Sequence, residues 1–201
     1  MIVAIQAGGR SLRMGEDKAW LTIDGRPMIE QVLTAARAVA DRLAIVINPS
    51  TPNVAQYQQL AAAWQAEVID DLHNYRGPLG GIETALRQGG EGEAALILAC
   101  DLPFLSEEFL RLLAQIHQAE KGDLTVPLDE TGRPQMLAAI YAATCLPPIS
   151  AMLAADELKA RLLQERVSTR EVSLAEYAHL PNAKRLLLNV NTLEDYQRLE
   201  G

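Results

Sequence analysis

The chain has 201 residues, of which 49% are hydrophobic and 22% are charged, and its formal net charge is −8. This composition excludes an intrinsically disordered chain, and the acidic balance argues against a nucleic-acid binder, which would present a basic face. The two cysteines, Cys100 and Cys145, are far apart, so we expect neither a disulfide framework nor a zinc cluster. Without a signal peptide or an apolar run of about 18 residues, the protein is expected to be cytoplasmic and to have no membrane contact.

The first half of the sequence alternates apolar runs with amphipathic stretches. The apolar runs predict strands at 2–5, 43–47, 67–69 and 94–99, and the last of these is expected to be central. The intervening periodicity predicts helices at 27–40, with Pro27 at its first position, at 54–64 and at about 82–87. Because the connections are short, this pattern predicts a parallel sheet with right-handed crossovers.

The second half continues the α/β pattern without a repeat or a linker. Ser106 is a predicted N-cap for a helix with an acidic first turn. Strands are predicted at 123–128, 136–141 and 167–174, and a helical stretch is predicted beyond Pro147-Pro148 to about 164. A last helix is expected to begin at Thr192, with Asp195 in capping-box spacing. One domain, 1–201, is therefore predicted.

The turn after the first strand has the composition of a polyphosphate site. Gly8 and Gly9 allow main-chain N–H groups to approach an anion, and Arg10, Arg13 and Lys18 add three cations. The spacing matches neither G-x-x-x-x-G-K-[ST] nor G-x-G-x-x-G. A plain connection between a strand and a helix is the alternative for this turn alone.

Three polar side chains lie within two residues of the ends of predicted strands. Asp101 follows the most apolar strand, where a carboxylate can bind Mg²⁺ that also coordinates phosphates; a turn aspartate before Pro103 is the alternative. Asn48 and Asp71 follow neighbouring strands and offer hydrogen-bonding groups for a base or ribose, whereas Asn48 before Pro49 is also a common turn starter. Open parallel sheets bind ligands at this edge.

The chemistry predicted for this edge requires no covalent intermediate. Lys18 and Arg13 would stabilise a polyphosphate and the charge that develops on a phosphate leaving group, while Asp17 would orient Lys18 or the loop backbone. The three histidines are scattered in the sequence, and Cys100, next to the apolar run 94–99, is expected to be a buried strand residue. The nucleophile is therefore expected to belong to a second substrate.

The stretch Ala7-Gly8-Gly9-x-Ser11-x-Arg13-Met14-Gly15-x-Asp17-Lys18-Ala19 resembles the signature of nucleotidyltransferases. Its R-M-G-x-D-K ending is similar to that of the molybdenum cofactor guanylyltransferases. The segments 77–81 (GPLGG), 99–104 (ACDLPF) and 189–192 (NVNT) occur in the family's order. The resemblance implies a three-layer α/β/α, Rossmann-like nucleotidyltransferase fold with a mostly parallel central sheet.

This resemblance also implies a reaction and a set of site residues. GMP would be transferred from GTP to the terminal phosphate of Mo-molybdopterin, with Mg²⁺ as cofactor, pyrophosphate as by-product and a guanine dinucleotide cofactor as product. Residues 1–105 would mainly form the GTP and Mg²⁺ site, and 106–201 mainly the molybdopterin side. The implied residues are Arg13, Lys18 and Asp101 for catalysis, with Asp101 on the metal; Gln6, Ala7, Gly8, Gly9, Lys18, Asn48, Asp71 and Asp101 for the nucleotide; and Gly77, Pro78, Leu79, Asn189 and Asn191 for the pterin.

The expected partners are the two substrates and, transiently, cofactor-insertion proteins or molybdoenzymes, and a monomer is favoured. Two positions depart from the family pattern: Gln6 stands where an apolar residue is usual, and Met136 where proline or histidine is expected. Three other functions remain open: a cytidylyltransferase for the same pterin, a sugar- or alcohol-phosphate nucleotidyltransferase, and a non-catalytic nucleotide- or pterin-binding chaperone.

Overall fold

The structure is a computed structural model that describes residues 1–7, 17–73, 76–191 and 195. Its strands are β1 (Ile2–Gln6), β2 (Thr22–Ile23), β3 (Arg26–Pro27), β4 (Arg42–Ile47), β5 (Glu67–Asp70), β6 (Ala95–Ala99), β7 (Leu124–Pro127), β8 (Ala138–Tyr141) and β9 (Thr169–Val172). The α-helices are α1 (Met28–Arg37), α2 (Val54–Trp64), α3 (Pro78–Gln88), α4 (Glu107–Glu120), α5 (Leu146–Ala154) and α6 (Leu174–Tyr177). Short 3₁₀ helices cover Lys18–Trp20, Ala143–Cys145, Ala160–Glu165 and Ala183–Arg185.

Seven strands form one central sheet in the order β5-β4-β1-β6-β8-β7-β9. β1 pairs in parallel with β4 and β6, and β4 pairs in parallel with β5. Only β8 runs against its neighbours in this sheet, antiparallel to both β6 and β7. The predicted mostly parallel sheet, with β6 at its centre, is confirmed.

Helices cover both faces of the sheet. Val3 and Ile5 point to one face and pack in a buried cluster with residues of α1, α2 and α4. Ile2 and Ala4 point to the other face and pack with residues of α3 and α5. Alternate side chains of a strand point to opposite faces, so a strand buried on both is apolar throughout. The predicted three-layer arrangement is therefore confirmed.

Several predicted boundaries differ from the structure. α1 begins at Met28 with Pro27 as its N-cap, not as its first residue, and ends at Arg37. α3 begins at Pro78, four residues earlier than predicted. The helical stretch predicted to about 164 is interrupted after α5, where Asp156 takes a positive φ of 59° that an α-helix cannot contain.

The predicted helix start at Thr192 lies outside the described residues. Ser106 accepts a hydrogen bond from the amide of Phe109 and caps α4 as predicted. In the part of the chain that the structure describes, no helix is long and apolar enough to cross a membrane.

The start of α3 depends on the backbone of Gly77. Its φ of +67° and ψ of −161° lie in a region that essentially only glycine adopts. We expect Gly77→Ala to lower the free energy of unfolding by about 1–3 kcal/mol, measured by urea denaturation. Gly122→Ala is the control, since its nearest contact would be an ordinary 3.5 Å. Equal stability of the two variants would contradict this assignment of strain.

Candidate functional site

A cavity of about 400 Å³ lies beyond the carboxyl ends of β5, β4, β1 and β6. Neighbouring strands are about 4.8 Å apart, so these four ends extend over roughly 14 Å. Burial raises the pKa of the Cys100 thiol in this cavity, which makes it a poor nucleophile. The lining residues are Gln6, Ala7, Lys18, Val46, Ile47, Asn48, Asp71, Gly77, Pro78, Gly81, Ala99, Cys100, Asp101 and Leu137.

Lys18 and Asp101 form an ion pair at the β6 end of the cavity. The side chains are 23% and 9% exposed, respectively, so the pair is largely withdrawn from water. Burial lowers the pKa of Lys18, but the charge and hydrogen bond of Asp101 outweigh this effect, and the pKa is raised. Lys18 therefore stays protonated in the neutral pH range.

The other carboxylate oxygen of Asp101 is free for a ligand. Within the described residues, Oδ1 of Asp101 is buried and has no hydrogen-bond partner. Burying a carboxylate oxygen without a hydrogen-bond partner costs free energy, which a bound ligand would offset. Carboxylate oxygens are the ligands that hard divalent cations prefer. No group of three or more His, Cys, Asp or Glu side chains among the described residues could hold a metal. Mg²⁺, however, commonly uses one or two carboxylates together with waters and substrate phosphates.

Asp17 fixes the backbone that carries Lys18. Its Oδ1 accepts a hydrogen bond of 3.1 Å from the amide of Ala19, and its Oδ2 accepts one from the hydroxyl of Tyr57. Tyr57 is fully buried on α2, and its ring centroid lies 5.2 Å from that of Trp20. The geometry favours the positioning role predicted for Asp17.

Asn48 and Asp71 line the opposite end of the cavity, at the ends of β4 and β5. Asn48 is buried, and its Oδ1 accepts a hydrogen bond of 2.9 Å from the amide of Ser50. The turn that Asn48 was alternatively expected to start is therefore present, and Asn48 also lines the cavity. The turn uses one acceptor position of the carbonyl oxygen, and the NH₂ group of Asn48 can donate to a ligand.

The Asp71 carboxylate is held from behind by α3. Its Oδ1 lies 2.9 Å from the amide of His73 and 3.0 Å from the hydroxyl of Thr84, which also accepts a hydrogen bond from the amide of Leu72. Thr84 is fully buried, and a single serine or threonine in an amphipathic helix carries no sequence signal for such a role. It is a positioning residue that sequence analysis missed.

A charge cluster centred on the buried Glu83 anchors the same segment to α3 and α5. Glu83 is 4% exposed and binds His73, Arg87 and Ser150. Burial raises the pKa of Glu83, but hydrogen bonds from Ser150, Arg87 and His73 outweigh it, and the pKa is lowered. A carboxylate with a lowered pKa stabilises the fold above its ordinary value of 4.5, and this contribution is lost as the pH falls through its folded value.

We therefore expect Glu83→Gln to lower the free energy of unfolding at pH 7 by about 1–3 kcal/mol. The difference from the unsubstituted protein should shrink as the pH falls below 4.5, the ordinary value for this group. Urea denaturation across this pH range measures it, with Glu91→Gln on the exposed surface as control. A deficit that does not change with pH would contradict the role of the Glu83 charge.

The N-terminus of α3 faces the cavity through Gly77, Pro78 and Gly81. The first amides of a helix have no partner within it and carry a partial positive charge, so they attract anions. Leu79, by contrast, is fully buried against the sheet and does not line the cavity. Gly81 belongs to the segment 77–81 (GPLGG), which the resemblance assigns to the pterin side, and it lines the cavity.

The predicted pterin-side asparagines lie in different surroundings. Oδ1 of Asn191 is 3.3 Å from Nζ of Lys18, which places Asn191 beside the ion pair. Asn189 donates to Oε1 of Gln135 at 3.4 Å and is not part of the cavity lining. Met136 is buried, and its carbonyl accepts a hydrogen bond from the hydroxyl of Tyr141.

The structure brings together most of the predicted nucleotide residues: Gln6, Ala7, Lys18, Asn48, Asp71 and Asp101 line one cavity. Gly8, Gly9 and Arg13 lie outside the described residues. Gln6 donates from Nε2 to the carbonyl of Pro78 at 3.1 Å and connects β1 to the start of α3.

Comparison with known proteins shows which family has this site. Residues 3–171 match the model of the MobA-like NTP transferase domain. The chain belongs to the MobA-like NTP transferase family. The probable molybdenum cofactor guanylyltransferase of Carboxydothermus hydrogenoformans is 35% identical over 99% of this chain and 94% of that protein. The molybdenum cofactor guanylyltransferase of Desulfosudis oleivorans is 29% identical over 98% of this chain and 93% of that protein.

A solved structure extends the comparison to the whole fold of this MobA-like protein. Molybdopterin-guanine dinucleotide biosynthesis protein A from Archaeoglobus fulgidus superposes with a TM-score of 0.82 at 26% identity, covering 100% of this chain and 97% of that chain. The family is one of NTP transferases, so the chain is a nucleotidyltransferase. The cavity at the strand ends is therefore the candidate active site.

Proposed function

We propose that this chain is a molybdenum cofactor guanylyltransferase that acts on GTP and Mo-molybdopterin. The terminal phosphate oxygen of the pterin attacks the α-phosphorus of GTP and forms a new P–O bond. The bond between the α-phosphorus and its bridging oxygen to the β-phosphate breaks, and pyrophosphate leaves with that oxygen. The observation that carries this proposal is the placement of Lys18, Asp101, Asn48 and Asp71 around one cavity at the carboxyl ends of four adjacent strands.

Lys18 supplies positive charge at the phosphate end. Its raised pKa keeps the ammonium protonated, and its ion pair with Asp101 fixes its position before a substrate binds. A preorganised cation stabilises the charge that builds up on a leaving pyrophosphate. Arg13, from the same segment of the sequence, is proposed to assist it.

Asp101 is proposed to hold a divalent cation, and Mg²⁺ is the ion that best fits a site shared with phosphates. Its buried Oδ1 has no partner among residues 1–7, 17–73, 76–191 and 195, so a ligand oxygen is available. When bound, such a cation neutralises phosphate charge and polarises the phosphoryl oxygens.

The nucleoside is assigned to the ends of β1, β4 and β5, with Gln6 and Ala7 at the end of β1 beside its base. The amide of Asn48 offers hydrogen-bond donors, and the carboxylate of Asp71 offers acceptors fixed by Thr84 and the amide of His73. Gly8 and Gly9 are proposed to bind the phosphates through main-chain N–H groups. The choice of guanine is taken from relatives named as guanylyltransferases.

The pterin substrate is assigned to the α3 side of the cavity. The N-terminus of α3 would bind its phosphate through main-chain N–H groups such as that of Gly77, since Pro78 lines the site but has no N–H to donate. Asn191 beside Lys18 would contact the incoming substrate. Residues 106–201 are proposed to contribute mainly to the pterin side, which the start of α3 joins from the first part, and 1–105 mainly to the nucleotide side.

The protein is proposed to act in the cytoplasm as a monomer, in transient contact with cofactor-insertion proteins or molybdoenzymes. Both cysteines are free and buried, which suits a reducing compartment.

Pyrophosphate release tests the proposal. Purified protein with Mg²⁺ and Mo-molybdopterin should release pyrophosphate with GTP and not with CTP, ATP or UTP. Release with CTP alone would keep the mechanism and change the product. Tight nucleotide binding without release, in the presence of pterin and sugar phosphates, would indicate a binding protein.

A further inference from the structure

Gln6 stands at the centre of the candidate active site, on the strand between the β6 and β4 ends. We propose that the side-chain oxygen of Gln6 accepts hydrogen bonds from the 2-amino-4-oxo-pyrimidine edge of a substrate, with the guanine of GTP as its source. This inference rests on the proposed function and adds a specificity-determining residue to it. It concerns a position where an apolar side chain is usual in the family that this sequence resembles.

The orientation of the Gln6 carboxamide is fixed by α3. Its Nε2 donates to the carbonyl of Pro78 at 3.1 Å, and a carbonyl can only accept, so the nitrogen and the oxygen of the amide are distinguished. The carboxamide also lies directly on the helix backbone at Gly81. A Cβ at position 81 would lie 2.5 Å from Nε2 and 2.6 Å from Cδ of Gln6. Gly81 therefore provides the space that the side chain occupies.

The Gln6 oxygen remains available to a ligand. Among the described residues no group donates a hydrogen bond to Oε1. Oε1 is also not one of the buried side-chain atoms without a partner, in contrast to Oδ1 of Asp101. Oε1 is thus accessible, on a side chain that lines the cavity. An oxygen of this kind attracts N–H groups and repels phosphate oxygens, which are also acceptors.

As a hydrogen-bond acceptor, this oxygen distinguishes guanine from the other nucleobases. Guanine presents an N1–H and a 2-amino group side by side, so one fixed acceptor can bind both. Cytosine and adenine present an acceptor nitrogen beside their amino group, which would face Oε1 unfavourably. A pterin has the same 2-amino-4-oxo edge as guanine, and the experiment must therefore separate the two sources.

Inosine triphosphate (ITP) tests the contribution of the 2-amino group, because ITP differs from GTP only in lacking this group. Calorimetric titration with Mg²⁺ and without pterin gives the Kd of each nucleotide. We expect the unsubstituted protein to bind GTP about tenfold more tightly than ITP, the effect of roughly one buried hydrogen bond. In Gln6→Leu this ratio should fall to within about twofold. Gln59→Leu, on the exposed face of α2, should keep the original ratio.

A second variant tests the same contact without changing Gln6. Gly81→Ala should displace the carboxamide and also remove the preference for GTP over ITP. In a Gln6→Ala background the clashing atoms are gone, so adding Gly81→Ala should lower the melting temperature less than it does alone.

Steady-state kinetics with Mo-molybdopterin as the varied substrate tests whether the pterin, and not guanine, contacts Gln6. If Gln6→Leu leaves the GTP to ITP ratio unchanged but raises the KM for Mo-molybdopterin about tenfold, the pterin is the source of the bound edge. If both the ratio and this KM are unchanged in Gln6→Leu and Gly81→Ala, the proposal is wrong. Failure of the proposed function is a different result, because the unsubstituted protein would then form no guanylylated product.

Discussion

Replacing Asp101 with asparagine is expected to lower kcat for nucleotidyl transfer by about 10³-fold or more. The substitution keeps the shape of the side chain but removes the negative charge that holds Lys18, and it leaves one neutral oxygen in place of the two that serve Lys18 and the divalent cation. The fold should survive, because Lys18 is 23% exposed and water can solvate its unpaired ammonium. Steady-state pyrophosphate release measures the rate, and near-ultraviolet circular dichroism checks the fold.

Asp70→Asn is the matched control for this variant. Asp70 ends β5 at the same edge of the sheet but is exposed and does not line the cavity. Its substitution should leave kcat within about twofold, as expected for an exposed position away from the site. A folded Asp101→Asn protein with normal turnover would remove Asp101 from the mechanism.

Lys18→Met is expected to lower kcat/KM by about 10²–10³-fold, since a preorganised cation near the leaving pyrophosphate is lost. It should also destabilise the protein more than Asp101→Asn does. Asp101 is only 9% exposed, and its carboxylate would remain in place without a cation. Turnover assays and urea denaturation measure the two effects.

Lys121→Met provides the control for the loss of one lysine charge. Lys121 is exposed at the C-terminal cap of α4, outside the cavity lining, and should change neither quantity appreciably. Retention of kcat/KM in Lys18→Met would show that another cation neutralises the phosphates.

The ion pair between Lys18 and Asp101 also predicts how stability and kcat/KM depend on pH. A lysine with a raised pKa contributes stability that is fully present below its ordinary value of 10.5 and is lost as the pH rises through its folded value. Loss of the Lys18 proton should therefore not limit kcat/KM between pH 6 and 9.

Local sequence patterns predicted those parts of the fold that depend on local physics. The helix predicted at 54–64 matches α2, and the apolar runs correspond to β1, β4 and β6. The direction of β8 could not be predicted, because a short apolar run has the same pattern in either orientation. The early start of α3 was missed because glycines disfavour helices, yet Gly80 and Gly81 allow Asp71 and Gln6 to lie against the helix backbone.

The sequence predicted which residue types form the candidate site, but not how their side chains contact one another. A carboxylate after β6 and a lysine after a glycine-rich turn indicated phosphate chemistry. Their pairing, over 83 residues of sequence, depends on the packing of the whole sheet. The same holds for Thr84 behind Asp71, because its partner is defined only once α3 lies on the sheet.

Following the phosphorus atoms of GTP tests the central proposal most directly. Two reactions, one with GTP labelled at the α-phosphorus and one at the γ-phosphorus, are run with Mg²⁺ and Mo-molybdopterin. We predict that the α-label appears in the pterin dinucleotide in a 1:1 ratio with released pyrophosphate, which carries the γ-label. A γ-label in the pterin product, or an α-label found only in free GMP or GDP, would contradict guanylyl transfer at this site.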